Sequence, residues 1–320
     1  MLQLLLASDI HPPAQPEKGP GGAVYQSRDV VFTDRSQEVD GYWLYEPDNP
    51  RMDSAHVIVF VHGYGAMNPM IYGGWIKHLV RKGNIVIFPR YQKNLFSPPP
   101  EDFPYNTAKA IKDALAFLDT TDHIKPITRH LTLVGHSYGG VISANLAVNY
   151  DDLGIPKPKA IFLCTPGSGP FKGAVLPDYG GLPEDLKLLV MVSDRDRVVG
   201  DKFGLRVFNT APQVATRNFI RQYPDKHGDP NIDASHSEPY FLDEEFDSGL
   251  RNITARRALY IGKKNAVDYF GYWKLLDAMI DCQRAGTHCE FAFGNTEEQR
   301  YMGQWSDGTA VRELEVTLPK

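Results

Sequence analysis

Short, continuous apolar runs alternate along this chain with stretches whose apolar positions fall three or four residues apart. The runs HVIVFVHG (56–63), NIVIFPRY (84–91), LTLVGHS (131–137), KAIFLCTP (159–166), LKLLVMVSD (186–194) and RNFIRQYP (217–224) predict buried strands. GGWIKHLVRKG (73–83), NTAKAIKDALAFLDT (106–120) and YGGVISANLAVNY (138–150) predict helices, with Asn106 as the N-cap of the second. DVVFTDR (29–35) and GYWLYEP (41–47) predict a strand pair ahead of them. Strands apolar on both faces, separated by helices, call for an α/β fold: a mostly parallel central sheet with helices on both faces. Ligands of such sheets bind beyond the carboxyl ends of the strands, so chemistry is expected in the loops after residues 61, 134, 193 and 223.

The pattern divides the chain into three parts. Residues 1–24 are proline- and glycine-rich and predict a flexible N-terminal segment, 25–245 the α/β core, and 246–320 a mainly helical C-terminal extension packed on that core and ending strand-like. A formal net charge of −5 leaves no basic surplus for a phosphate backbone and speaks against nucleic-acid partners. No apolar run approaches the ~20 residues of a membrane span, so no transmembrane segment is expected.

The opening MLQLLLAS is short for a secretory leader and has no basic flank; it reads as a signal remnant or as a tail. Of three cysteines, Cys164 sits in the apolar run AIFLC and reads as a small core residue. Cys282 and Cys289 would lie ~10 Å apart on an uninterrupted helix, beyond bridging distance. Gly286 between them predicts a helix end, which leaves two readings open: a small disulfide-closed ring or two free thiols. A ring would favour a secreted or periplasmic protein over a cytoplasmic one.

The chemistry is most legible in LTLVGHSYGG. Gly135-His136-Ser137-Tyr138-Gly139 fits G-x-S-x-G, with an apolar strand before it and a helical pattern after it. A serine raised on a sharp strand-to-helix turn brings the residues two before and two after it close together, and only very small residues fit there. Ser137 is therefore the candidate nucleophile, and Gly135 and Gly139 form its elbow. A serine at its own pKa is a weak nucleophile and needs a histidine base oriented by a carboxylate.

With VIVFVHGYG, LTLVGHSYGG, LLVMVSDRDRVV and the histidines after RNFIRQYP in that order, the chain resembles the α/β-hydrolase superfamily over about residues 40–240, in particular its bacterial serine esterases and lipases. The resemblance implies the α/β-hydrolase fold and the order nucleophile, acid, base. It assigns the acid to Asp196 in Ser193-Asp194-Arg195-Asp196, with Asp194 as the competitor, free to pair with Arg195 or Arg197. For the base, His236 in ASHSEP fits a loop tip leading into a terminal helix better than His227 in KHG, which reads as a turn residue. His136 is expected to pack away from the serine, and His62 to brace its loop. The resemblance also implies an oxyanion hole formed by the backbone amides of Tyr64 and Tyr138.

Only about twenty residues separate the strand ending near 164 from the one starting near 186, so a small cap or none is expected. Tyr64, Met67, Met70, Tyr72 and Trp75 are candidates to line an acyl pocket, with Trp75 equally suited to the core. Asp225, Asp229 and Asp233 do not follow a calcium-loop spacing, and H-E-x-x-H, paired C-x-x-C, Walker and Rossmann motifs are absent, so neither metal nor cofactor is expected. The resulting expectation is a carboxylic ester hydrolase acting on a small or lipid-like ester. An amidase, peptidase or thioesterase with the same three residues, or a non-catalytic binding module on the same scaffold, are the alternatives.

Overall fold

The computed structural model describes residues 9–120 and 122–319; the start of the expected N-terminal segment, residues 1–8, lies outside the described residues. Its strands are β1 (Asp29–Arg35), β2 (Tyr42–Asp48), β3 (Ser54–Val61), β4 (Asn84–Pro89), β5 (Lys125–His136), β6 (Ala160–Cys164), β7 (Lys187–Ser193), β8 (Thr216–Gln222) and β9 (Glu315–Thr317). They form one sheet in the order β1-β2-β4-β3-β5-β6-β7-β8-β9. β3 to β8 run parallel, while β1, β2 and β9 join antiparallel at the two edges.

Alternation within the apolar strands divides the core in two. Val57, Val59 and Val61 of β3 face one cluster, with Ile111, Val141 and Val207, while Ile58 and Phe60 face another, with Trp75, Leu79 and Leu276. Helices α2 (Phe103–Leu118), α3 (Tyr138–Val148) and α4 (Lys202–Asn209) thus cover one face. Helix α1 (Gly73–Arg81) and the π-helical segment Val267–Trp273 that continues into α6 (Lys274–Ala285) cover the other. Helix α5 (Ile253–Ile261) contributes Ala255 and Ala258 to this second cluster.

Local details depart from the sequence reading in places. Helix α2 starts at Phe103 after a 3-10 turn at Pro100–Asp102, so Asn106 is not its cap but lies inside its first turns. β5 begins at Lys125 because its polar first half pairs with β3 across a register shift between His56 and Ile58. Helix α4 was not anticipated; its amphipathic pattern is short and contains Gly204, which packs against Val190. No helix follows His236 directly: residues 237–252 run without one apart from the turn Glu244–Phe246, and the next helix is α5.

Residues 9–24 carry no helix or strand, yet they are fastened, with the Gly21 N–H donating to the buried Asp277 carboxylate at 2.9 Å. Residues 246–320 supply the edge strand β9 as well as helices. Cys282 and Cys289 are disulfide-bonded with Cα atoms 4.7 Å apart, because Gly286 ends α6 in a left-handed conformation (φ 69°) and turns the chain back. Cys164 is a free, buried thiol. Among the described residues, no helix is long and apolar enough to cross a membrane.

Candidate active site

The chain leaves β3 for β4 on one side of the sheet and returns to β5 on the other, so the strand order reverses at the β3/β5 pair. The crevice beyond the carboxyl ends of these two strands is where an open α/β sheet places its ligand. β5 ends at His136 and α3 begins at Tyr138, so Ser137 alone makes the turn, at φ 55° and ψ −121°. A left-handed φ is strained for a residue with a side chain. The surroundings hold it there: the Ser137 N–H donates to the Cys164 carbonyl at 3.0 Å, and the N–H groups of Gly140 and Gly167 donate to its carbonyl at 3.0 and 3.1 Å.

The elbow glycines are required by contact. A Cβ on Gly135 would stand 2.3 Å from the Gly139 carbonyl oxygen, and one on Gly139 would stand 2.1 Å from that of Val61. Both distances are impossible for real atoms, so the turn closes only with glycine at these positions.

Ser137, Asp196 and His236 come from three loops and meet. The His236 Nδ1–H donates to Asp196 Oδ2 at 2.7 Å, since a carboxylate can only accept. That leaves Nε2 unprotonated on the neutral ring, 2.8 Å from Ser137 Oγ and able to accept its proton. Asp196 Oδ1 accepts from the N–H groups of Val198 and Val199 at 2.8 and 3.0 Å, which fixes the carboxylate plane. Burial raises this carboxyl, but the hydrogen bond from His236 and the attraction its imidazolium form would exert, with the two amides, outweigh it and hold Asp196 below the usual carboxylate range. The competing residues lie elsewhere. Asp194 is exposed and makes no ion pair among the described residues, and His227 is 2.7 Å from Asp307.

His136 does more than fill space. Its Nε2–H donates to the His236 carbonyl at 2.9 Å, so its Nδ1 accepts from the Tyr72 hydroxyl at 2.7 Å. The Tyr72 oxygen in turn accepts from the Gly63 N–H at 3.0 Å. Burial, reinforced by the repulsion a second imidazolium at His236 would exert, pushes His136 well below the ordinary histidine value, which keeps it neutral as this chain of donors requires. One line of hydrogen bonds therefore ties the loop after β3 to the backbone of the base. His62 braces the same loop, with ring nitrogens 2.7 Å from the Gly63 carbonyl and 2.9 Å from the Arg90 carbonyl.

That loop lies directly over the serine, since a Cβ on Gly63 would be 3.2 Å from Ser137 Cβ. Among the described residues, the N–H groups of Tyr64 and Tyr138 have no hydrogen-bond partner, and both residues line the cavity above Ser137. The cavity measures about 360 Å³, within the range of small-molecule sites. Of the aromatic and methionine candidates after β3, only Tyr64 lines it. Met67, Met70, Tyr72 and Trp75 are buried in the molecule.

The remaining wall comes from segments that the sequence did not single out. Phe171 stacks on Tyr64 with ring centroids 4.5 Å apart, and α5 contributes Ile253, Thr254, Arg257 and Ile261. Asn252 fastens this wall to the loop after β3: its side-chain carbonyl caps α5 at the Ala255 N–H (2.8 Å) while its amide donates to the Gly65 carbonyl (2.7 Å).

Asp225 and Asp233 are committed to protein partners, Asp225 to the Arg312 N–H at 2.9 Å and Asp233 to Lys263 at 2.7 Å. Among the described residues, no cluster of His, Cys, Asp or Glu is arranged to hold a metal ion. Chemically, the site offers a hydroxyl beside an oriented base, two unpaired amides nearby and a partly apolar cavity. A model of the alpha/beta hydrolase family matches residues 58–283 of the chain. No curated protein matches it.

Proposed function

Because the chain belongs to the alpha/beta hydrolase family, we propose that its hydrolysis is that of a serine esterase acting on carboxylic esters through an acyl-enzyme. The observation that carries this reading is the unbroken line from Asp196 through His236 to Ser137 Oγ, opening into the cavity. Ser137 Oγ attacks the ester carbonyl as His236 Nε2 takes its proton, and Asp196 stabilises the resulting imidazolium. The oxyanion is received by the amides of Tyr64 and Tyr138, each such donor contributing on the order of 3 kcal/mol in the transition state. His236 returns the proton to the departing alcohol, leaving an acyl-serine. Water, deprotonated by the same nitrogen, then releases the acid and restores Ser137.

The apolar part of the cavity wall supports a small or lipid-like ester, and no step in this sequence calls for a cofactor. The Cys282–Cys289 bridge supports export to an oxidising compartment over a cytoplasmic location.

The test is turnover of p-nitrophenyl esters of increasing chain length beside a p-nitroanilide of matched acyl group, with Ser137→Ala as control. The expected result is ester cleavage that Ser137→Ala abolishes. Faster cleavage of the anilide would make the chain an amidase, and ester cleavage unaffected by Ser137→Ala would remove the assignment.

A further inference from the structure

Arg257 stands out among the residues around the cavity. The lining holds no aspartate, glutamate or lysine, and His236 is engaged with Asp196, so the Arg257 guanidinium is its one fixed charge. Among the described residues, Arg257 has neither an ion-pair partner nor a hydrogen-bond acceptor. Of the other arginines in the C-terminal region, Arg251 pairs with Asp247 and Arg300 with Glu313 at 3.1 Å, while Arg256 and Arg312 have no ion-pair partner among the described residues; what sets Arg257 apart is that it lines the cavity. The charge is felt inside the site. Burial raises the Tyr240 phenol to about 12 against the opposing pull of Arg257. Arg256, the next residue on α5, is exposed and outside the lining.

An unpaired guanidinium beside apolar walls favours a planar anion that can accept two parallel N–H bonds, and a carboxylate fits that geometry. We propose that Arg257 recognises a carboxylate on the substrate, so that the preferred esters of this site carry a second, free carboxyl group. This deepens the esterase reading and rests on it. Helix α5 then selects by charge, while the elbow supplies the chemistry. The free carboxylate sits on the acyl or the alcohol half of the ester, and the two halves are separated by the choice of probe.

Two substrate pairs test this. p-Nitrophenyl hemiadipate is compared with p-nitrophenyl hexanoate, and the butyrate ester of 4-hydroxybenzoate with that of 4-hydroxybenzamide. In at least one pair the ratio of kcat/KM, anionic over neutral, should exceed one, and the pair that shows this identifies the half that carries the charge. That ratio should fall about tenfold in Arg257→Gln, mainly through KM, recover in part in Arg257→Lys, and hold in Arg256→Gln. Raising the salt concentration should shrink it in the wild type.

Binding of monomethyl adipate to the Ser137→Ala protein, followed by calorimetry, reads the same contact without turnover, and Arg257→Gln should weaken it about tenfold. The proposal is overturned if neither pair shows a preference, or if Arg256→Gln and Arg257→Gln change the ratio or the binding equally. Loss of all esterase activity with Arg257-dependent binding intact would instead remove the esterase reading and leave the anion site standing.

Discussion

The floor and the covering wall of the cavity are built differently. The floor is the junction of β5 with α3 and the loop after β3, where a single added carbon on Gly135 or Gly139 has no room and Ser137 is only 7% exposed. The wall is α5 and the loop carrying Phe171; Ile253 there is 71% exposed, and the helix is anchored through two alanines and the Asn252 clasp. Close packing leaves the floor one arrangement, with His236 Nε2 held 2.8 Å from Ser137 Oγ. The wall can change side chains without disturbing that arrangement, and there the site can acquire selectivity.

Substitutions in the floor should cost turnover and those in the wall should change preference. The largest effect is expected for Asp196→Asn, which can no longer hold His236 in the tautomer that accepts the serine proton; kcat should fall about 10⁴-fold, measured on the best p-nitrophenyl ester. A drop below tenfold would separate Asp196 from the chemistry.

Tyr72→Phe comes next. It removes the hydroxyl between Gly63 and His136 and leaves a buried N–H unpaired, at a cost of about 1–3 kcal/mol in unfolding free energy. If this line of hydrogen bonds positions the base, kcat should also fall about tenfold with KM little changed. Loss of stability alone, with normal kcat, would reduce Tyr72 to a packing role.

The floor also makes stability depend on pH. His62 and His136 are buried, with folded-state values below the ordinary 6.5, His62 at about 4. As pH falls through 6.5, the unfolded chain takes up protons at both residues while the folded chain does not, so the unfolded state is favoured. Unfolding free energy from urea titrations should therefore fall as pH drops below about 6.5, by up to about 1.4 kcal/mol per pH unit for His62 down to about pH 4, with His136 acting in the same direction. A flat profile over that window would mean that both take up protons in the folded chain as readily as in the unfolded one. The smallest effect belongs to the wall. Ile253→Ala should raise KM for long-chain esters a few-fold and leave the thermal midpoint unchanged, and equal losses on short and long esters would contradict its place in the lining.

The same contrast explains what was legible in the sequence. Strands β3, β4, β6 and β7 and the second half of β5 announced themselves as runs apolar on both faces, β8 more weakly through Phe219 and Ile220, and the family match agrees with the fold they imply. Ser137 was legible because its glycines answer a local steric demand written within five residues. Asp196 and His236 were singled out through the resemblance to the family's order and pattern, and they meet at Ser137 in the folded chain.

Where the reading departed from the structure, long-range contacts decided. Tyr72 looked like a pocket residue, but its hydroxyl is claimed by His136, sixty-four positions away. Asn106 had the composition of a cap, yet the 3-10 turn Pro100–Asp102 and Pro104 in the first helical turn start the helix earlier. Nothing around Arg257 in RRALYIG marks it, because its place depends on α5 lining a cavity whose other residues come from loops spread between Gly63 and Tyr240.

The most direct measurement is covalent labelling by a fluorophosphonate, followed by mass mapping of the peptides. The account predicts one adduct, on the peptide that contains Ser137, absent in Ser137→Ala and much slower to form in His236→Gln. No adduct on the wild-type protein, or an adduct that persists in Ser137→Ala, would contradict it.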